Sequence, residues 1–426
     1  MLTSARTNNL LDRAALRRWY LSNRNRTSAL FRLFEPGAYY DRPIPLRHPL
    51  VFYDGHLPGF SYNKLMREAL GAPSINPEFE QLFERGIDPS DLTDAKRHER
   101  EAWPERSEVQ AFGVACDVAI LQALAYADLS GESSPLLEGA HAVLTILEHE
   151  EMHHETFLYM LHRLPLARKR PNVRRDDASE RPPHLTGRVA VPAGRATLGV
   201  RRDAIPFAWD NEFDESVVDV AGFEIDANNA TNGDWLAFVK AGGPLPKFWI
   251  ERDGEFRLLG MFEELPLKHS WPVYVTQAQA AAYAAWRGGR VMTEAEYHRA
   301  AFGAPGGDER AFPWGDAAPD ARIHGNFDLR RYDPESVGIS PAGASAWGVH
   351  DLIGNGWEWT STKFGPLAGF APHPSYQQYS ADFFDDAHYV IKGASPVTSR
   401  DLVRRSFRNW YRPEYPYVFA TTRVVY

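Results

Sequence analysis

The sequence predicts a multidomain α+β protein in which an N-terminal helical bundle precedes a C-terminal domain of mixed helices and strands. Three observations carry this. The chain has 426 residues, beyond the roughly 250 to 300 at which a single hydrophobic core stops growing. Its first part repeats apolar residues at helical spacing, whereas its last part breaks into short segments punctuated by Gly and Pro. Between them lies a charged, proline-bearing stretch almost without large apolar side chains.

Leu16, Trp19 and Tyr20, and then Leu30, Leu33 and Phe34, fall three and four apart, as one stripe of a helix requires. Leu50, Val51, Phe52 and Tyr53 form an apolar run behind Pro49, a favoured residue at a helix start. No Gly or Pro interrupts Ala140 to Leu164, and Leu144, Leu147, Met152, Leu158 and Met160 give that stretch apolar faces, so it predicts one long helix. PLARKRPNVRRDDASERPPHLTG, from Pro165 to Gly187, cannot bury itself and reads as a linker. The domains are therefore expected at 1–164 and 188–426. In the second, RVAVPAGRATLGV and AHYVIKGAS read as strands, and NGDWLAFVKAG and QAQAAAYAAWRG as helices, among irregular loops. No period of 20 to 50 residues recurs, which disfavours solenoids and propellers.

A composition of 44% hydrophobic and 24% charged residues is that of a globular protein. The formal net charge of -9 offers nucleic acid or an anionic membrane no general basic surface. Neither partner is expected, and no stretch is expected to span a bilayer. Residues 1–20 lack the continuous apolar segment of a signal peptide. Cys116 is the single cysteine, so no intramolecular disulfide or multi-cysteine zinc site can form. A cytoplasmic protein follows, with any metal held by His and carboxylate.

His149 and His153 are four apart on the long helix and share a face, within reach of one ion. The plain alternative is a solvated face, because His141, His154 and His162 make this helix rich in histidine. Two ligands need a third from another element. His56 is preferred, since its apolar run would bury it in the bundle. His48 competes, but it precedes Pro49 at the expected helix start, where solvent is nearer. Glu155 could accept the outer N–H of a ligand imidazole. The string His149-Glu150-Glu151-Met152-His153 also satisfies the H-E-x-x-H pattern of zinc peptidases, with Glu150 as base.

Together, FYDGHLPGF and HEEMHHE resemble the DinB-like helical domain of the sulfoxide synthases of ergothioneine biosynthesis. The second half resembles the formylglycine-generating-enzyme (sulfatase-modifying factor, C-type-lectin-like) fold through VAVPAGRATLGV, FPWGD, SAWGVHDLIGNGWEWTST, YVIKGAS and RNWYRPEYPYVFATTRVV, in the family's order. Formylglycine generation itself needs reactive cysteines and is set aside. What remains is similar to the ergothioneine-type synthases and, within them, to the selenoneine synthases, the branch preferred on FYDGHLPGF and RRSFRNWYRPEYPYVFA.

That resemblance implies iron(II), Fe(2+), on His56, His149 and His153, with oxygen as oxidant. It implies hercynine, trimethylated histidine, as acceptor and a selenosugar as donor; a thiol donor, cysteine or γ-glutamylcysteine, is the alternative. Trp410 and Tyr411 would face the trimethylammonium group, which cannot donate hydrogen bonds, and Asn409 the carboxylate or imidazole side. Tyr376, or its neighbour Tyr379, would serve as the tyrosine at the iron. Trp347, Trp357 and Trp359 read as core. Two positions depart from one ergothioneine subfamily: Met152 replaces a Gln that contacts hercynine, and Tyr411 replaces an Asp that binds the amine of γ-glutamylcysteine. Arg97, Arg100 and Arg404 could meet a donor or simply be surface charge. A ligand-binding module without catalysis is the remaining reading of another class.

Overall fold

The computed structural model describes residues 12–84, 102–129, 131–171 and 187–426. Two compact units divide the chain, Met1–Val173 and Arg174–Tyr426.

In the first unit, Asp12 caps α1 (Arg13–Leu30) by accepting from the Ala15 amide at 2.9 Å. Helix α2 (Leu50–Ser61) buries every residue except Asp54, as a helix that is apolar all round must. It runs directly into a π-helical turn, Tyr62–Ala69. Gly55 is required within α2, because a Cβ there would stand 2.5 Å from the Phe83 ring. Phe83 ends α3 (Pro77–Leu82), whose start is capped by Asn76. Helices α4 (Arg106–Tyr126) and α5 (His141–Arg163) complete the bundle, α2 packing against both and α1 against α5.

Two expectations are corrected here. Helix α4, 21 residues long, is by length and composition long and apolar enough to cross a bilayer, contrary to the expectation that no stretch is. A bundle helix passes the same test, and Val109, Phe112, Cys116, Ile120 and Leu124 are buried against the core. Residues 165–171 are also not a free linker. The Glu35 amide donates to the Arg168 carbonyl and the Arg170 amide to the Leu33 carbonyl, both at 2.8 Å, while Arg168 and Arg170 pair with Asp41 and Glu35. Both ion pairs remain partly exposed, so the backbone pairing is what ties this stretch to the segment that follows α1. The remainder of the expected linker, to residue 186, lies outside the described residues.

The second unit holds two four-stranded sheets. One orders Arg188–Val191, Phe223–Asp226, Val424–Val425 and Arg290–Val291; the other orders Asn409–Tyr411, Tyr389–Ala394, Gly356–Lys363 and Ala420–Thr421. Three helices, α6 (Asn232–Lys240), α7 (Gln277–Trp286) and α8 (Glu294–Phe302), each start on a threonine cap with a reciprocal bond from the third helical residue. Trp357 and Trp359 are buried on the longest strand and Trp347 packs at the core's margin. Arg423 and Glu358 are fully buried together, and Arg423 also donates to the carbonyls of Asp226, Ala227 and His350. Such a pair is tolerable only because each donor is spent.

Candidate metal centre

His56, on α2, meets His149 and His153, on α5, with one nitrogen from each ring within 4.8 Å of the others. Ring centroids are 5.1, 4.9 and 4.4 Å apart, and Nε2 of His56 stands 3.3 Å from Nε2 of His153. Four-residue spacing explains the α5 pair. Burial of α2 on all sides explains why His56 reaches it across the bundle. His48 does not join; its ring lies on Phe52 at 4.0 Å.

Electrostatics favour neutral rings. Burial pushes His56 down to about 4 and holds His149 and His153 well below the usual imidazole range. Nδ1 of His56 lies 2.7 Å from the Phe83 carbonyl oxygen, which can only accept, so Nδ1 carries the proton and Nε2 presents a lone pair to the cluster. Both nitrogens of His149 and Nδ1 of His153 are buried without a hydrogen-bond partner among the described residues. Buried polar atoms left unpaired cost ~1 to 3 kcal/mol each. A divalent cation taking one lone pair from each of three neutral imidazoles would offset that cost at one nitrogen of His149 and would separate the crowded Nε2 atoms of His56 and His153, so the residues fit a borderline metal such as iron or zinc.

Glu155 does not supply the outer contact. It lies two residues beyond His153, about 200° around the helix, and is buried on another side of it. The Phe83 carbonyl takes that role, which no side-chain pattern announces. Glu150 does not stand as a peptidase base either. It is 1% exposed, pairs with Arg24 at 2.8 Å and accepts from the Thr27 hydroxyl at 2.6 Å, both on α1. The solvated-face reading of α5 fails as well, since His154 and His162 are buried.

Met152 is half-buried on α5, one residue before His153. In the second unit, Tyr376 and Tyr379 are both half-buried, their rings 5.6 Å apart. Tyr379 stacks on Trp209 at 4.1 Å and meets Trp410 edge-on at 5.5 Å; Trp410 lies flat on Phe364 at 4.1 Å and 6°. Trp209 and Phe364 were invisible to motif reading, being distant in sequence. Asn409, Trp410 and Tyr411 occupy one strand, so Trp410 projects opposite to Asn409 and Tyr411. Tyr411 accordingly stacks on Tyr415 at 5.2 Å. Trp410 and Tyr411 therefore belong to two separate aromatic clusters, one with Phe364 and Tyr379 and one with Tyr415. Arg404 is neither surface charge nor free: it pairs with Glu212 through two hydrogen bonds. Arg97 and Arg100 lie outside the described residues.

Residues 174–426 match the family of sulfatase-modifying factor enzyme 1-like domains. A hercynine oxygenase from Mycolicibacterium thermoresistibile is 35% identical over 97% of this chain and 95% of its own length. One from Mycolicibacterium smegmatis is 32% identical over 92% and 94%. Ergothioneine biosynthesis protein 1 from Neurospora crassa is 28% identical, over 90% of this chain and 54% of its own.

Proposed function

Because this chain belongs to the hercynine oxygenase family of ergothioneine biosynthesis, its C-terminal unit being a sulfatase-modifying factor enzyme 1-like domain, we propose that it is an iron-dependent oxidoreductase that uses oxygen to join sulfur from a thiol to the imidazole of hercynine. The convergence of His56, His149 and His153 carries this reading. Three neutral imidazoles leave a divalent ion its full charge and several open positions. Iron bound there supplies one-electron chemistry with oxygen and a common anchor for the two substrates. The chain's own residues supply the rest. The Phe83 carbonyl holds the His56 tautomer. Trp410, braced between Phe364 and Tyr379, offers an aromatic surface to a trimethylammonium cation; Asn409 projects from the other face of the strand and its Oδ1 accepts from the Trp410 amide, so its part is to hold the strand that presents Trp410. Tyr376 or Tyr379 is the proton-donating tyrosine. Small-molecule substrates and a single buried cysteine suit a cytoplasmic enzyme.

One observation favours a selenosugar as donor instead. Tyr411 is uncharged where a γ-glutamylcysteine amine calls for a carboxylate, and its stack with Tyr415 makes an aromatic platform of the kind a sugar ring packs on. Met152, without a donor group, is equally mute toward charge. The test is to load the full-length protein with iron(II) without oxygen. Hercynine is then added with cysteine, γ-glutamylcysteine or a selenosugar, and the products formed in air are weighed by mass spectrometry. A carbon–sulfur product supports the first reading and a carbon–selenium product the second. No product from any donor, or full turnover by His149→Ala, overturns both.

A further inference from the structure

His48, Phe52, His56, Phe60, Lys64 and Glu68 are spaced four apart without a break, the spacing of a single ridge along a helix. The structure keeps that ridge through α2 and the π-helical turn. His48 stacks on Phe52 and Phe52 on His56, at 4.0 and 4.9 Å between ring centres. Further along, the Lys64 ammonium lies 5.7 Å from the centre of the Phe60 ring and pairs with Glu68 at 2.6 Å. Phe60 also reaches across to α5. Its ring lies face to face with that of His149, centres 3.5 Å apart and planes 11° from parallel.

A ligand imidazole is usually held at two points, its ligating nitrogen and an acceptor for its other ring N–H. His56 has that acceptor in the Phe83 carbonyl. His149 has a hydrogen bond at neither nitrogen among the described residues, and both atoms are buried. Something else must fix the plane of its ring. A close face-to-face sandwich is the least favoured arrangement for two electron-rich rings. It becomes favourable when one ring is electron-poor, as an imidazole is when its nitrogen is bound to a cation.

We infer that Phe60 is the positioning residue of His149, an aromatic clamp that sets the imidazole plane in place of the usual hydrogen bond, with Lys64 and Glu68 bracing the clamp from the next turns of the same ridge. The inference rests on the reading of the three histidines as a metal site. It assigns Phe60 no contact with substrate. Phe60 acts through His149 alone.

Cobalt(II), whose visible spectrum reports ligand geometry, is the probe, added to the metal-free full-length protein. Affinity is measured by competition with a chelator, and the melting temperature of each metal-free variant controls for folding. Phe60→Leu is expected to weaken cobalt binding about 10- to 100-fold, the usual effect of losing an orienting partner, and to change the spectrum. Phe60→Met tests the same loss with a more adaptable side chain should Phe60→Leu fold poorly. Phe60→Tyr, which keeps the ring, is expected to retain both affinity and spectrum. A residue that only packs would lower the melting temperature and leave the spectrum alone. Wild-type affinity and spectrum in Phe60→Leu or Phe60→Met overturn the inference, and so does a loss in Phe60→Tyr as large as theirs. A wild-type protein that takes up no cobalt, or His149→Ala that keeps it, overturns the metal reading itself and the inference with it.

Discussion

Helix α5 carries buried polar residues on two sides, and the sides differ in how they are satisfied. Toward α1, Glu150 meets Arg24 and Thr27, Glu151 accepts from the Trp19 indole at 2.8 Å, and His154 Nε2 meets the Thr27 hydroxyl at 2.8 Å. Toward α2, His149 has no hydrogen bond among the described residues, and His153 meets only the Nε2 of another imidazole. Both sides are buried at similar cost. On the first, the closed side, each of these side chains has a partner within the protein, although Glu150 Oε2 and His154 Nδ1 themselves have none among the described residues, and it reads as structure. On the second, neither nitrogen of His149 is paired among the described residues and three imidazoles converge on one another, the arrangement a shared cation requires. Histidine content alone distinguishes nothing, because both sides have it.

The comparison breaks first at His149. Leu has nearly the volume of His and no polar atom to leave unpaired, so His149→Leu should take turnover to background while the melting temperature of the metal-free protein holds or rises. A metal-free variant several degrees less stable would mean that His149 is closed by the protein after all. Arg24→Met should do the reverse. It leaves Glu150, 1% exposed, buried without its cation, a loss of roughly 3 to 5 kcal/mol by urea titration, while iron affinity is carried by the other side. Iron itself comes next. At a hundred times its dissociation constant it should add about 2.7 kcal/mol to unfolding free energy, a gain that a chelator abolishes and that His153→Ala never shows.

How much of this was legible in the sequence follows from the same division. The helix α5 and the pairing of His149 with His153 are local properties, set by spacing and by the absence of Gly and Pro, and they read directly. His56 was reachable because an apolar run behind Pro49 predicts a buried helix. The closed side of α5 was not legible, since Arg24, Thr27 and Trp19 lie more than a hundred residues from their partners and no periodicity connects them. The outer contact of His56 is a backbone carbonyl, which any residue at position 83 could offer; its only trace is Gly55, whose missing side chain admits the Phe83 ring. Strand alternation at Asn409–Tyr411 could have been applied in advance. It needed the knowledge that these three residues are extended, which the aromatic motif did not convey.

The smallest effect sharpens the comparison most. Thr27 Oγ1 stands 2.6 Å from Glu150 Oε1 and 2.8 Å from His154 Nε2, and a hydroxyl has one proton. The carboxylate can only accept, so the hydroxyl donates to Glu150 and His154 donates to the hydroxyl, which fixes the proton of His154 on Nε2. Thr27→Val keeps the shape and removes both bonds. Arg24 still neutralises Glu150 and the Asn23 backbone still accepts from His154, so the loss is one shared hydrogen bond and one weakened carboxylate contact, about 1 kcal/mol. Because His154 follows His153 on the helix, the variant also asks whether the two sides are mechanically separate. Unfolding free energy that drops while cobalt affinity stays within a factor of two would mean they are. A tenfold loss of cobalt affinity would show that the closed side sets the angle at which α5 presents its ligands, and the division into structure and site would have to be redrawn along the helix axis.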